Sequence, residues 1–209
     1  QLRDVEAVIH LAGENVGEKR WSEKRKQQIL NSRVKGSENL VRAVNQHGSK
    51  VLVFISASGV SYYGFSKENE VLTEDSPKGE GFLAEVSEQW ERPLKKLPHD
   101  LRNVIFRIAP VFARSGGFLA TVVPLFRKGL GGKLGSGEQW MPWVDIDDVV
   151  LMMMTALAET SMAGVYNASA SNVRNREFTT TLCKVLGVFQ SLPPPSFALK
   201  LLFGEMSGL

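Results

Sequence analysis

Apolar residues gather in three short runs with little polar alternation: Val5 to Ala12 (VEAVIHLA), Val51 to Ser56 (VLVFIS) and Val104 to Ala109 (VIFRIA). Runs of this length suit strands of a parallel sheet buried on both faces. Between the first two, Ser22 to His47 carries Leu30, Val34, Ser37, Val41 and Val44 at steps of four and three, and Gly48 follows. That spacing predicts an amphipathic helix closed by a glycine cap. Phe82, Val86, Trp90 and Leu94 recur at steps of four and predict a second helix, kinked or ended near Pro93. Strand, helix, strand, helix, strand with right-handed crossovers makes an open parallel α/β sheet the simplest architecture.

The pattern changes after Val111. Gly116, Gly117, Gly129, Gly131, Gly132, Gly135 and Gly137 surround an apolar stretch, Phe118 to Phe126, and Gln139-Trp-Met-Pro-Trp143 follows. Asp147 or Asp148 is placed to cap a helix built on Val149, Val150, Met153, Met154 and Leu157. The chain is expected to return through a strand at Val165 to Ala168 and a helix from Glu177 to Leu186 ended by Gly187. A final helix, Phe197 to Phe203, is expected after Pro193-Pro194-Pro195. The methionine run reads as core. This division gives residues 1–112 to the parallel sheet and 113–209 mainly to a second region, with about 143–168 returning to the sheet.

Composition narrows the class. The 209 residues are 43% hydrophobic and 22% charged, the balance of an ordinary globular protein. The apolar run Val149 to Ala158 is too short for a membrane span, and a soluble cytoplasmic location is the expectation. The single Cys183 excludes an internal disulfide framework and reads as a core thiol. The net charge is only +3, yet Lys19, Arg20, Lys24, Arg25, Lys26, Arg33 and Lys35 crowd one segment. Without interleaved aromatics this is a solvated or phosphate-facing surface, and nucleic acid is not expected as a partner. His10, His47 and His99 are scattered, so no metal site is expected.

The residues that carry chemistry are His10-Leu-Ala-Gly-Glu-Asn15, Ile55-Ser-Ala-Ser-Gly-Val-Ser-Tyr-Tyr-Gly64 and Trp143-Val-Asp-Ile-Asp-Asp148. Small residues at the C-terminal end of a buried parallel strand let a flat ligand approach the backbone, and Leu11, Ala12 and Gly13 satisfy this. Together with Leu72 to Pro77 (LTEDSP), Phe82 to Val86 followed by Trp90-Glu91, Gly129 to Gly132 and Gly135 to Trp140, these motifs resemble the extended short-chain dehydrogenase/reductases. More narrowly, they are similar to the epimerase-like YfcH-type subfamily. The resemblance covers almost the whole chain.

The resemblance implies an α/β, Rossmann-like parallel sheet and an NADP cofactor, or NAD in its place. It also implies a strand and a glycine-rich G-x-x-G-x-x-G turn upstream of Gln1, cradling the pyrophosphate, so that this stretch alone is expected to bind dinucleotide poorly. Leu11, Ala12, Gly13, Ala57 and Arg107 are expected on the cofactor side, with Gln28 and Arg33 reaching toward it from the long helix. Asn15, Gln139, Trp140 and Trp143 are expected at a small-molecule substrate, a sugar nucleotide or another carbonyl compound.

For proton handling the resemblance implies a serine, a tyrosine and a lysine: a cation favours the phenolate while the serine orients the substrate oxygen. Ser58, just beyond the second strand, takes the serine position, with Ser56 its alternate. The helix that should carry Y-x-x-x-K reads Phe82-Leu-Ala-Glu-Val86 and holds neither residue. Tyr63-Gly-Phe-Ser-Lys67 matches the spacing but contains Gly64 ahead of a polar loop, which does not suit a helix. Tyr63, or Tyr62, remains the proton donor to consider. Two activities are therefore open: a hydride-transferring oxidoreductase or nucleotide-sugar epimerase, and a non-catalytic NADP-binding sensor or partner-binding protein that has lost the Tyr/Lys pair.

Overall fold

The computed structural model describes residues 2, 4–64 and 70–191. In chain order the elements are β1 (Ala7–His10), α1 (Glu23–His47), β2 (Val53–Gly59), α2 (Phe82–Glu91), β3 (Arg102–Ile108), β4 (Val111–Ala113), α3 (Gly117–Arg127), β5 (Trp140–Asp145), α4 (Ile146–Ala158), β6 (Gly164–Ala168), β7 (Ser171–Arg174) and α5 (Asn175–Leu186). Short 3-10 turns, Val60–Tyr63 and Arg92–Lys96, follow β2 and α2. The chain divides into two compact units, Gln1–Ile108 with Val150–Ala168, and Ala109–Val149 with Ser169–Leu209.

The first unit is built on a four-stranded sheet in the order β1-β2-β3-β6, parallel at every pairing. This is the α/β, Rossmann-like architecture expected from the three apolar runs. β2 is buried along nearly its whole length, as a strand covered on both faces must be. It runs to Gly59, three residues past the expected end at Ser56, so Ser58 lies inside the strand and not beyond it. There it sits in register with Arg107 of β3.

Helix α1 starts where its N-cap directs it: the Ser22 hydroxyl accepts the Arg25 amide at 3.2 Å. The Gly48 amide bonds Val44 O at the far end. The stripe it buries is Arg25, Ile29, Ser37, Val41 and Val44, with Ile29 taking the core place expected of Leu30. Gly36, on the same helix, makes room for a ring: a Cβ there would come within 3.3 Å of His10 Cε1. Val41 and Val44 join Phe54, Leu94, Leu97, Leu101 and Ile105 in one apolar cluster. Helix α2 ends at Glu91, and Pro93 is the second residue of the 3-10 turn after it, a place that needs no N–H donor.

The second unit holds a three-stranded sheet, β4-β5-β7, which the sequence pattern did not reveal. β5 pairs parallel with β4 and antiparallel with β7. Phe112 stacks on Trp143 at 5.1 Å and on Phe118 at 5.8 Å, with Phe178 packed against both phenylalanines. α5 ends in a left-handed Gly187, as expected. Asp145, one residue before α4, caps it by accepting the Asp147 amide, in place of the expected Asp147 or Asp148, which occupy the first turn. Lys67 and the expected helix Phe197 to Phe203 lie outside the described residues. Among the described residues no helix is long and apolar enough to cross a membrane.

Candidate functional site

Two groups of residues occupy the C-terminal ends of the first unit's strands. The first follows β1. Leu11, Ala12, Gly13, Glu14 and Asn15 are all exposed, Leu11 to 55%, so the strand ends in an open backbone segment as expected. This segment is fastened to α1. Arg25 donates to the Glu14 carboxylate at 2.8 Å and to Asn15 O at 2.6 Å, Arg33 donates to Glu14 O at 2.9 Å, and the Glu14 amide donates to Ser32 Oγ at 3.0 Å. Asn15 Oδ1 accepts the Gly17 amide, which leaves its NH2 group available. Beside the segment is a polar cleft of about 530 Å³ lined by Glu14, Lys19, Arg25, Gln28, Asn31, Ser32 and Lys35. Gln28 therefore faces a cleft that could take an anionic ligand.

Arg33 is less free than expected. Its guanidinium lies over the Trp90 ring at 4.9 Å and touches the place a Cβ would take at Gly13. Burial pulls its pKa below the usual arginine value, with Glu14 opposing that pull.

The second group lies one strand over. β2 and β3 are in register, so Ser58 and Arg107 project to the same side and meet Glu91 of α2. Arg107 holds Glu91 through two arms, Nε to Oε1 at 3.0 Å and Nη2 to Oε2 at 2.9 Å, and Ser58 Oγ donates to Oε1 at 2.6 Å. The remaining arm, Nη1, donates to Tyr63 OH at 2.9 Å, and Tyr63 donates to Asn167 Oδ1 of β6 at 2.7 Å. The guanidinium also lies over the Tyr62 ring at 3.4 Å. Burial pulls the Arg107 pKa down, but hydrogen bonds to Glu91 and Tyr63 and attraction to Glu91 outweigh it and hold the value above the ordinary one. The structure thus brings Ser58, Tyr63 and Arg107 together, all buried, with Ser58 only 4% exposed. Glu91 and Asn167 complete the network and were not foreseen.

Among the other expected residues, Ala57 is buried within β2, and Ser56 is fully buried with its hydroxyl donating to Ala57 O. α2 offers no tyrosine or lysine, and its Ser87 hydroxyl lies 3.1 Å from that of Ser61. In the second unit, Trp140 is 41% exposed with Arg174 over its ring, Gln139 donates to Leu134 O, and Trp143 belongs to the aromatic cluster.

Open α/β sheets bind their ligands outside the C-terminal ends of parallel strands, the edge at which both groups lie. Residues 1–169 match the model of the NAD-dependent epimerase/dehydratase family. The chain belongs to that family.

Relatives within it are similar over nearly all of the chain. A chloroplastic epimerase family protein SDR39U1 homolog of Arabidopsis thaliana is 41% identical across 95% of this chain and 58% of its own length. The epimerase family protein MT2273 of Mycobacterium tuberculosis is 37% identical across 99% of this chain and 68% of its own. The chain therefore spans roughly three fifths to two thirds of these relatives. Among solved structures, the human epimerase family protein SDR39U1, isoform 2, crystallised with NADPH, is 33% identical with a TM-score of 0.90, over 97% of this chain and 70% of that one. A UDP-glucuronic acid 4-epimerase from Bacillus cereus in complex with NAD has a TM-score of 0.76 at 20% identity, a likeness of fold alone.

Proposed function

We propose that this epimerase/dehydratase family chain is the greater part of an NADP(H)-binding protein, with NAD as the alternative, and that its activity is hydride transfer to or from a carbonyl or alcohol carbon. The observation that carries the proposal is the exposed segment Leu11–Asn15 at the end of β1, held open by α1 and lying beside the strand end that bears Ser58. Leu11 and Ala12 present an apolar surface suited to a ring or ribose, and Gly13 leaves room for the Arg33 guanidinium beside it. Gln28 and the lysines of the adjoining cleft suit phosphate or ribose oxygens. The human relative's NADPH supports the choice of cofactor. The proposal includes the narrower epimerase-like subfamily and a cytoplasmic location expected from the sequence.

A bound nicotinamide dinucleotide, held by Leu11, Ala12, Gly13 and Gln28, would supply the hydride donor or acceptor. The chain's own part is to manage the proton on the substrate oxygen. Tyr63, bonded on one side to Arg107 and on the other to Asn167, is the residue proposed for this, with Ser58 orienting the oxygen. Arg107 stands where a cation can steady a charged phenol oxygen, a service that a helix lysine would otherwise perform. The substrate class proposed is a sugar nucleotide or another small carbonyl compound. Asn15, Gln139, Trp140 and Trp143 are the residues that the sequence proposes for contacting it.

One observation favours a second activity, dinucleotide binding without catalysis. Both hydroxyl protons are directed to protein acceptors, Ser58 to Glu91 and Tyr63 to Asn167. A serine that donates to a carboxylate can only accept from a substrate until that bond breaks. NADPH binding by the full-length protein, followed by NADPH consumption with a panel of carbonyl compounds and sugar nucleotides, separates the two. Turnover that Ser58→Ala and Tyr63→Phe abolish supports the enzyme. Tight binding with no turnover across the panel supports the sensor, and no binding of either dinucleotide overturns both.

A further inference from the structure

We propose that Arg25 is a positioning residue for the ligand-facing segment Gly13–Gly17, acting through its hold on that backbone. The inference rests on the dinucleotide-binding proposal above for its consequence, but not for its geometry.

Arg25 sits on the first turn of α1 and is 7% exposed, an unusual place for a guanidinium in a helix otherwise edged by solvated lysines. Burying this charge is unfavourable unless it is paired and hydrogen-bonded. Its partners all lie in the segment after β1: the Glu14 carboxylate at 2.8 Å, Asn15 O at 2.6 Å and the Glu18 carboxylate at 3.6 Å. Its Nε has no hydrogen-bond partner, so the residue keeps one buried donor in reserve at the wall of the polar cleft. The bond to Asn15 O fixes a backbone carbonyl, and the pair with Glu14 fixes a side chain. Together they determine the path of the chain between Gly13 and Gly17. Arg33 and Ser32 complete the attachment on the carbonyl and the amide of Glu14.

The exposed segment is otherwise ordered by Arg33 and Ser32 on Glu14 and by the Trp21 indole, which donates to Val16 O at 2.9 Å; Arg25 alone ties two successive residues of it to α1. Without Arg25, the open strand end would sample many conformations, and a ligand lying on it would bear the cost of ordering them on binding. Lys24, adjacent and exposed, carries the same charge without these bonds. It provides the natural control.

The test compares Arg25→Met, Arg25→Lys and Lys24→Met in the full-length protein. Amide hydrogen exchange at Glu14 and Gly17, measured without cofactor, reads the segment directly, and NADPH titration reads the consequence. Arg25→Met is expected to lose protection at both amides and to bind NADPH about tenfold more weakly or worse, the effect of losing a charge-assisted bond. Arg25→Lys is expected to restore part of each, and Lys24→Met to leave both unchanged. Should Arg25→Met fail to fold, Ser32→Ala, which removes the acceptor of the Glu14 amide and the donor to Ile29 O, is expected to shift the same two readouts by less. A folded Arg25→Met protein with wild-type protection overturns the inference, as does an NADPH loss matched by Lys24→Met. If the wild type binds no NADPH, the dinucleotide proposal falls and the claimed effect on affinity with it. Lost protection in Arg25→Met would then still uphold the hold on the segment.

Discussion

Ser58 and Glu91 are joined by a 2.6 Å hydrogen bond in which the hydroxyl donates, and this bond links the end of β2 to the end of α2. Glu91 takes three donors in all, two from Arg107 and one from Ser58. The carboxylate therefore decides where the guanidinium points, and with its last arm the guanidinium decides where Tyr63 points.

Removing that acid should be costly. Glu91→Ala leaves the Arg107 guanidinium buried with its main partner gone, and the expected loss is about 3–5 kcal/mol, measurable by urea unfolding. The paired replacement Glu91→Leu with Arg107→Met should be less damaging than the sum of its single changes, because neither charge is left alone. Additive losses would show that the two side chains do not depend on each other.

Gly79 supports the same network from outside. A Cβ there would lie 1.9 Å from the Tyr63 carbonyl oxygen, and that oxygen belongs to backbone that cannot swing aside. The Gly79 amide also bonds Tyr62 O at 3.0 Å. Gly79→Ala is expected to destabilise by about 1–3 kcal/mol through overpacking. It should also alter the near-ultraviolet dichroism of the tyrosines packed against Arg107, and an unchanged melting curve and spectrum would contradict this account.

Much of this was legible beforehand in the first unit and little of it in the second. Long helices and buried strands announce themselves by period and by continuous apolar content, and α1, β2 and β3 did so. β4, β5 and β7 have three, six and four residues, and β5 carries Pro142, so no periodicity could emerge. Glu91 belongs to the Trp90-Glu91 motif, which by itself assigns it no partner. The missed signal lay in β3, where Arg107 interrupts an apolar strand buried on both faces. Such a charge demands a buried acid, and Glu91 falls on the Ala84, Ser87 and Glu91 stripe of the next helix in space. The hold of Arg25 on the segment after β1 left no comparable mark, since Arg25 is one of seven basic residues that together read as a solvated or phosphate-facing surface.

The lone thiol gives a simple check of packing. Cys183 is 6% exposed, and burial raises its pKa, so the reactive thiolate is scarce and shielded in the folded protein. A thiol reagent at neutral pH is expected to label the native protein slowly and to reach one equivalent per chain after denaturation. Rapid labelling of the native state would mean that α5 does not pack as described.

His10 should make stability depend on mildly acidic pH. The ring is 2% exposed, set edge-on to Phe54 and Trp90 at 6.5 and 6.2 Å, and its Nε2 has no hydrogen-bond partner. Desolvation lowers its pKa in the folded state below the value near 6.5 expected of the unfolded chain. Between the two values the unfolded chain binds the proton and the folded chain does not, so unfolding is favoured as pH falls. The contribution is intact above about 6.5 and is lost progressively as pH drops from there through the folded-state value. Replacing His10 with leucine removes the titrating group, so the difference in unfolding free energy between pH 7.5 and 5.5 should shrink relative to wild type, whatever the variant's absolute stability. An equal or larger pH dependence in His10→Leu would mean that the imidazole already reaches a proton acceptor, contrary to the orphaned nitrogen at the end of β1.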